Sequence, residues 1–394
     1  VHHDLWDYDI PCPPNLVKVK TKGKLVKAIA QPTKTGQLFV LDRLTGIPIF
    51  PVKEIPVPQS NIPGEVSSKT QPFTIPELIY GRITLDENSF NKIEGFENRS
   101  IKDSIQNMIY GQLYIPPSQK PTMVFPQFNG GTDWGGAAYD PINRMLYVNT
   151  SNEAEWFAML NLLKDQKIAS FDYGKQLFKS NCNICHNSKQ NNNLSQLGVN
   201  NLKHIKNTLR KGKRAMPAFP NFDSKSIDAL ADYIVGLGKN KMIKIENGEK
   251  ILEIPWVANG HPELKTKNGY PINKTPWGTL SSINLDKGKI DWQIPLGTYP
   301  ELEKMGYSPT GTFNMGGPLA TAGKLIFIGA TMDERFRVFD QSSGRMLWEY
   351  QLDAGGYATP ASYEIEGKQY VVIAGGGSGK PGTKAGNKIY CFGL

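Results

Sequence analysis

The sequence predicts a mainly β chain with a helical segment set into it. Thirty-nine glycines and twenty-eight prolines among 394 residues call for many turns and leave few helical runs. A unit of strand, aspartate, glycine turn and returning strand recurs along the chain, twice ending in tryptophan. From 155 to 243 this pattern stops and a helical period replaces it.

The elements follow in order. Residues 1–55 read as strands. Leu25-Val26-Lys27-Ala28-Ile29-Ala30 and Gln37-Leu38-Phe39-Val40-Leu41-Asp42 flank a turn at Lys34-Thr35-Gly36. Leu41-Asp42-Arg43-Leu44-Thr45-Gly46 is the first copy of the repeated turn. Asn284-Leu285-Asp286-Lys287-Gly288-Lys289-Ile290-Asp291-Trp292 is the second. Val338-Phe339-Asp340-Gln341-Ser342-Ser343-Gly344 runs on to Trp348 as the third, and 139–148 is a looser copy. A repeated sheet unit with tryptophan at a fixed place predicts a β-propeller. The tryptophan is expected to dock between neighbouring sheets, where its apolar area is buried. Residues 56–120 are rich in proline and polar side chains and read as an excursion over one face, with a short helix near 101–108.

The helical segment has its own logic. Tyr173, Leu177 and Phe178 share a helix leading to Cys182-Asn183-Ile184-Cys185-His186. Ser224 is placed to cap a second helix burying Ile227, Leu230, Ala231, Ile234 and Leu237, and Gly238 to end it. Two thiols two residues apart, followed at once by histidine, are the signature of covalent c-type haem attachment. Cys182 and Cys185 then add to the haem vinyl groups, and His186 ligates the iron. Met216 is the candidate sixth ligand, with Met242 and His204 as rivals. A zinc site would need further Cys or His ligands, and only His204 is near in sequence. A thiol redox pair would need a βαβ context and no following histidine.

A balance of 45 basic to 36 acidic side chains gives +9, read as a mildly basic surface on which an acidic electron acceptor could dock. No nucleic-acid motif accompanies the dispersed cations. Cys12 and Cys391 are left over and are expected as two buried free thiols. No apolar run is long enough to span a membrane, and no signal peptide is expected within this stretch. The chain opens at Val1 in strand-like sequence, and the expectation is the C-terminal part of a longer protein.

Several motifs outside the helical segment occur in one order: His2-His3-Asp4-Leu5-Trp6-Asp7, 34–43, Asp133-Trp134-Gly135-Gly136, 316–323 and 367–377. Together they resemble the C-terminal half of pyrroloquinoline quinone (PQQ) dehydrogenases of the membrane glucose dehydrogenase type. The resemblance implies part of an eight-bladed propeller, about four or five blades, with an inserted all-α cytochrome c domain. The expected divisions are 1–154 and 244–394 for the blades and 155–243 for the insert.

It further implies Asp7 as general base, ahead of Asp4 and Asp9, and Lys34 as a contact to the quinone oxygens. Asn149 is implied as a polar contact. Trp134 lies near the cofactor, either stacking on it or docking between blades. A calcium or magnesium ion is implied, with its main ligands in the half of the ring that is not in this stretch. The activity implied is oxidation of a sugar or alcohol hydroxyl, with hydride passing to PQQ and electrons leaving through the haem. The partners expected are that substrate and a soluble cytochrome, oxidase or quinone as acceptor. The built-in haem departs from the membrane type and puts ubiquinone in doubt. Covalent haem points to a periplasmic or exported location. The competing function is a non-catalytic propeller scaffold carrying an electron-transfer cytochrome c. The grouping of Asp7, Lys34 and Asn149 speaks against it.

Overall fold

The computed structural model describes residues 1–90, 105–161, 167–183, 185–186, 194, 197–214, 216–220, 222–244, 256–259, 264–307, 309–377 and 379–393. The chain divides into two compact units. The first comprises Val1–Pro117, Thr122–Trp156 and Pro262–Leu394; the second comprises Ser118–Pro121 and Phe157–His261.

The first unit is built from antiparallel sheets. β1 (Asn15–Thr21), β2 (Lys24–Pro32) and β3 (Leu38–Asp42) form one sheet in that order. A second sheet combines β4 (Ala137–Asp140) and β5 (Met145–Ser151) with β6 (Gly278–Asn284) and β7 (Lys289–Pro295), in the order β7-β6-β5-β4. The second unit thus enters the chain between two neighbouring strands of one sheet. β8 (Leu319–Ala320), β9 (Leu325–Ile328), β10 (Arg335–Asp340) and β11 (Met346–Gln351) make a third sheet. β12 (Ala361–Ile365), β13 (Lys368–Gly375) and β14 (Lys388–Gly393) make a fourth.

Successive sheets share apolar cores. Val17, Ala28 and Val40 of the first meet Leu146, Val148 and Ile283 of the second. Tyr147 and Leu280 of the second meet Ile326, Ile328 and Phe339 of the third. Phe327, Phe336 and Val338 of the third meet Val371 and Ile373 of the fourth. Each fully buried Val, Leu, Ile or Phe contributes about 1.5–3 kcal/mol, so these faces hold neighbouring sheets together. Leu78 and Tyr80 pack into the first core and anchor the 56–120 excursion. Most of the helix expected at 101–108 lies outside the described residues.

The repeated turns have one physical cause. Asp42 Oδ1 accepts the backbone N–H groups of Leu44 and Thr45, and Asp340 Oδ1 those of Ser342 and Ser343. The glycine four residues on closes each turn through its own N–H: Gly46 to Asp42 O and Gly344 to Asp340 O. Hydroxyls of Ser342 and Ser343 also bond Asp340 and lower its pKa to about 2. In the second copy Asn284 does this work, accepting from Lys287 N, with Gly288 four residues on. The sequence reading had aligned Asp286 there; its carboxylate instead bonds Lys20 N and Arg144 Nε.

An aromatic ring from one sheet sits on the glycine turn of the next. Trp292 lies against Gly344 and donates from Nε1 to Gln341 O at 3.0 Å. Phe50 lies against Gly288 in the same way. Trp348 remains 42% exposed, with Phe336 and Phe392 edge-on to it.

The second unit packs three helices around Tyr173, Leu177, Leu209, Ile227 and Leu230. They are α1 (Ser170–Asn181), α2 (Leu202–Lys211) and α3 (Ser224–Ile234). It is not all helical. Met159–Asn161 pairs with Trp256–Ala258, and Lys167–Ala169 with Met242–Lys244. The first of these pairs carries the unit past residue 243, the expected boundary. Asp223, not Ser224, caps α3, accepting from Ser226 N at 2.7 Å. Leu237 lies beyond the helix end and is 38% exposed.

Gly344→Ala should cost more stability than Gly46→Ala. Both sites have left-handed φ (69° and 73°), so backbone strain cancels in the comparison. A Cβ at Gly344 would fall 2.8 Å from the Trp292 ring, while Gly46 has nothing within 4 Å. Urea unfolding should separate the two variants by about 1–3 kcal/mol. Equal losses would mean that the ring does not pack on the turn.

Candidate functional site

Alternation in Trp6-Asp7-Tyr8-Asp9 sorts aromatics from carboxylates. Trp6 and Tyr8 are 2% and 3% exposed, and their rings stack at 6.1 Å. Trp6 Nε1 donates to Ile115 O at 2.7 Å, and Tyr8 Oη to Pro126 O at 2.5 Å. Burial pushes the Tyr8 pKa well above the usual phenol range. Asp7 and Asp9 are left on the open side, with side chains 70% and 60% exposed. Asp7 takes φ of 61°, a left-handed conformation that aspartate tolerates better than most residues.

Both carboxylates meet Lys34, whose side chain is 8% exposed in the turn after β2. Lys34 Nζ donates to Asp9 Oδ1 at 2.5 Å, Asp7 O at 2.7 Å and Asp7 Oδ2 at 3.2 Å. These three acceptors match the three N–H donors of an ammonium. Burial pulls the Lys34 pKa down; the bonds from Asp9 and then Asp7 outweigh it, and the net shift is upward. Asp9, which the sequence reading ranked behind Asp7, makes the shortest contact. Asp4 is spent locally, accepting from Trp6 N at 2.9 Å.

The loop 130–136 joins Lys34 to Asn149. Gly131 N donates to Lys34 O at 2.6 Å, and Ser151 N to Gly131 O at 2.8 Å. Gly130 must lack a side chain, because a Cβ there would lie 2.3 Å from Lys34 Cγ. Thr132 Oγ1 donates to Asn149 O at 2.9 Å. Asn149, 2% exposed on β5, donates from Nδ2 to Asn314 Oδ1 and Gly316 O. Its Oδ1 is buried and has no partner among the described residues, as is Thr150 Oγ1 beside it in sequence. The amide's donors are therefore taken, and its carbonyl oxygen is the acceptor that remains.

Trp134 is 45% exposed, so it is not the buried inter-sheet wedge that was one of its two expected roles. Its neighbour Asp133 was missed. Burial raises the Asp133 pKa, and the charges of Lys380 and Lys34 oppose the rise. The only sequence signal for it was its place beside Trp134.

A second site lies in the helical unit. Cys182 caps the C-terminus of α1; Cys185 N and His186 N both donate to Cys182 O. A cavity of about 190 Å³ is lined by Phe178, Cys182, His186, His204, Leu209 and Met216 among others. Burial pushes the Cys182 thiol up to about 12. Met242, one rival to Met216, is 56% exposed and outside this lining; His204, the other, lies within it. Cys185 is exposed and does not line the cavity. The leftover cysteines are both free, but only Cys12 is buried. Cys391 is exposed because it lies on an outward position of β14, where Tyr363 Oη is 3.0 Å from its sulfur. No group of three or more His, Cys, Asp or Glu among the described residues could hold a metal ion.

Residues 1–203 and 241–371 match the family described as "Glucose/ethanol/alcohol dehydrogenase, beta-propeller domain" of the PQQ type. The chain belongs to this PQQ propeller family.

Relatives of the PQQ propeller cover it from end to end. Quinoprotein glucose dehydrogenase of Escherichia coli (strain K12) is 31% identical over 401 residues, 100% of this chain and 42% of the relative. Quinate/shikimate dehydrogenase (quinone) of Acinetobacter baylyi is 30% identical over 387 residues, 96% of this chain and 40% of the relative. The chain therefore spans less than half the length of these relatives. Among solved structures, quinohemoprotein alcohol dehydrogenase from Comamonas testosteroni aligns with TM-score 0.44 and 18% identity, over 94% of this chain and 35% of that one. The propeller match leaves out 204–240, which holds most of α2, Met216 and all of α3.

The Lys34 cluster makes a pH prediction for this propeller. Its raised folded pKa gives a stability contribution that is complete below the unfolded value of about 10.4 and is lost as pH rises through the folded one. Asp9→Asn removes the charge from the shortest contact and should move that alkaline loss to lower pH. Unfolding free energy measured across alkaline pH checks this; an unmoved edge would show that Asp9 does not hold the ammonium.

Proposed function

We propose that the chain is the base-bearing part of a PQQ-dependent dehydrogenase that oxidises a sugar or alcohol hydroxyl, in the manner of a glucose dehydrogenase. The observation that carries this reading is the buried Lys34 ammonium shared by Asp7 and Asp9. Membership of the PQQ propeller family supports it. So do relatives named as glucose and quinate/shikimate dehydrogenases. A scaffold has no use for a buried cation held by two open carboxylates.

Lys34 and Asn149 would hold the quinone. Lys34 would exchange its longest contact, to Asp7 Oδ2 at 3.2 Å, for carbonyl oxygens that gain negative charge, and the orphan Asn149 Oδ1 suits a donor. Trp134, exposed beside them in the same loop, offers an aromatic face. PQQ, when bound, supplies a two-electron acceptor for the hydride of an alcohol carbon. The work of this chain is the proton. Asp7 binds Lys34 through its long contact at 3.2 Å and is largely open, so its carboxylate can take the hydroxyl proton. Asp9 keeps the ammonium neutralised while Asp7 does so. Calcium or magnesium, as the family's Lewis acid, would find no ligand cluster among the described residues.

In the helical unit, Cys182 and Cys185 would carry the haem, with His186 and Met216 as axial ligands. The apolar cavity that gathers Cys182, His186 and Met216 from distant points of the sequence fits such a group. Exposed Cys185 must turn inward to join it. A c-type haem, when bound, supplies a one-electron carrier. The acceptor beyond it would be a soluble cytochrome, an oxidase or a quinone, and covalent haem implies a periplasmic or exported protein.

Reconstitution with PQQ and calcium, assayed with a redox dye against aldoses and alcohols, tests the activity. Asp7→Asn should lower kcat by about 10²–10⁴ while PQQ stays bound; unchanged kcat would remove Asp7 as base. A pyridine haemochrome spectrum tests the haem, and its absence would remove that half of the proposal.

A further inference from the structure

Charge is distributed unevenly along this chain. Residues 173–222 contain nine of the 45 basic side chains and none of the 36 acidic ones. The rest of the chain holds 36 of each, so the whole formal charge of +9 belongs to these fifty residues. Within them the structure places Lys203, Arg210 and Lys211 on α2, with Lys213 and Arg214 just after it, all exposed. None of these five forms an ion pair among the described residues. Lys206, by contrast, is matched to Asp228 at 2.8 Å.

Of these cations Lys213 lines the cavity, and Lys203, Arg210 and Lys211 belong to the helix that forms one of its walls. His204, Ile205, Thr208 and Leu209 of α2 line it too. Lys211 continues the stripe of His204 and Thr208 one turn on. Lys213 Nζ lies 3.3 Å from His204 Nε2. The dipole of α2 accounts for Arg210 and Lys211 in its last turn. It does not account for Lys203 near the helix start or for Arg214 beyond its end. Nor does a general need for solubility explain why every uncompensated charge sits in one segment, since dispersed charge would serve as well.

We infer that the basic surface of α2 and the turn after it, carrying Lys203, Arg210, Lys211, Lys213 and Arg214 on the element that walls this cavity, is the docking surface for an acidic electron-carrier protein. The inference rests on the haem reading above and names the chemistry of the acceptor. One electron would leave the reduced iron and the acceptor would gain it, with no bond made or broken. A like-signed cluster around a recessed redox centre raises the encounter rate of an oppositely charged partner and orients it. An acidic protein is favoured over an anionic membrane because the cations gather on the element that walls a concave site, and α2 carries no exposed apolar stripe for a bilayer to bury.

The test uses the haem-loaded protein and acidic plastocyanin as probe. Oxidation of the reduced haem should slow about tenfold between low and physiological-to-high salt. Lys203→Glu/Arg210→Glu/Lys211→Glu should slow it at low salt by at least as much, with the haem spectrum unchanged. Ferricyanide should outpace the cationic oxidant cobalt tris-phenanthroline, and the triple variant should narrow that gap. Calorimetric binding of plastocyanin to haem-free protein reads the surface alone, so a missing haem and a missing docking site give different results. Salt-independent rates, an unaffected triple variant, or binding to phosphatidylglycerol vesicles without binding to plastocyanin would overturn the inference.

Discussion

A lysine ammonium buried in the turn after β2 sets the terms for the rest of the first unit. Lys34 is 7% exposed, and such a charge is tolerated only with full hydrogen bonding and a counter-charge. Asp7 and Asp9 provide both. For them to reach it, the segment 6–9 must be pinned, and the buried rings of Trp6 and Tyr8 pin it. For the lysine stem to be covered, the loop 130–132 must lie across it without a side chain at Gly130. That loop is hydrogen-bonded to β5, where Asn149 lies. One buried charge thereby ties the N-terminal segment, the first sheet and the second into one site.

The sheets support this site through a repeated device. An aspartate or asparagine closes each turn with a glycine four residues on, and at Gly288 and Gly344 an aromatic ring, Phe50 or Trp292, rests on that glycine. The device is local, so each sheet can be interrupted as long as its turn survives. The second sheet is interrupted between β5 and β6 by the helical unit, yet those strands pair over seven residues, from Gly278 with Ser151 to Asn284 with Met145. An insertion at such a point leaves in place the strand pairing of the sheet that carries Asn149. The helical unit has its own core, its own cavity and the whole of the net formal charge.

Much of this was legible in the sequence because it rests on periodicity. The Trp292 docking and the helix faces of Tyr173 with Leu177 and of Ile227 with Leu230 follow from spacing alone. The turn register did not, because Asn284 and Asp286 are both good turn residues and only geometry shows which one faces the N–H groups. Asp7 and Lys34 were singled out by resemblance; no local pattern distinguishes them from a strand-end carboxylate and a turn lysine. The part Asp9 plays in holding Lys34 was not legible, because sequence does not reveal that one ammonium must serve two carboxylates. Asn149 was singled out by resemblance as a polar contact, and which half of its amide is committed depends on Asn314 and Gly316, some 165 residues away. Cys391 was misjudged for a similar reason: its exposure follows from the side of β14 on which it falls.

The most direct measurement is equilibrium binding of PQQ, followed by fluorescence, to the protein and to its Lys34→Met variant. Replacing the charged donor with an apolar side chain of similar length should weaken binding by about tenfold to a hundredfold, the worth of one charge-assisted hydrogen bond. Equal affinity in the two proteins would contradict the assignment of Lys34, and with it the site built around that residue.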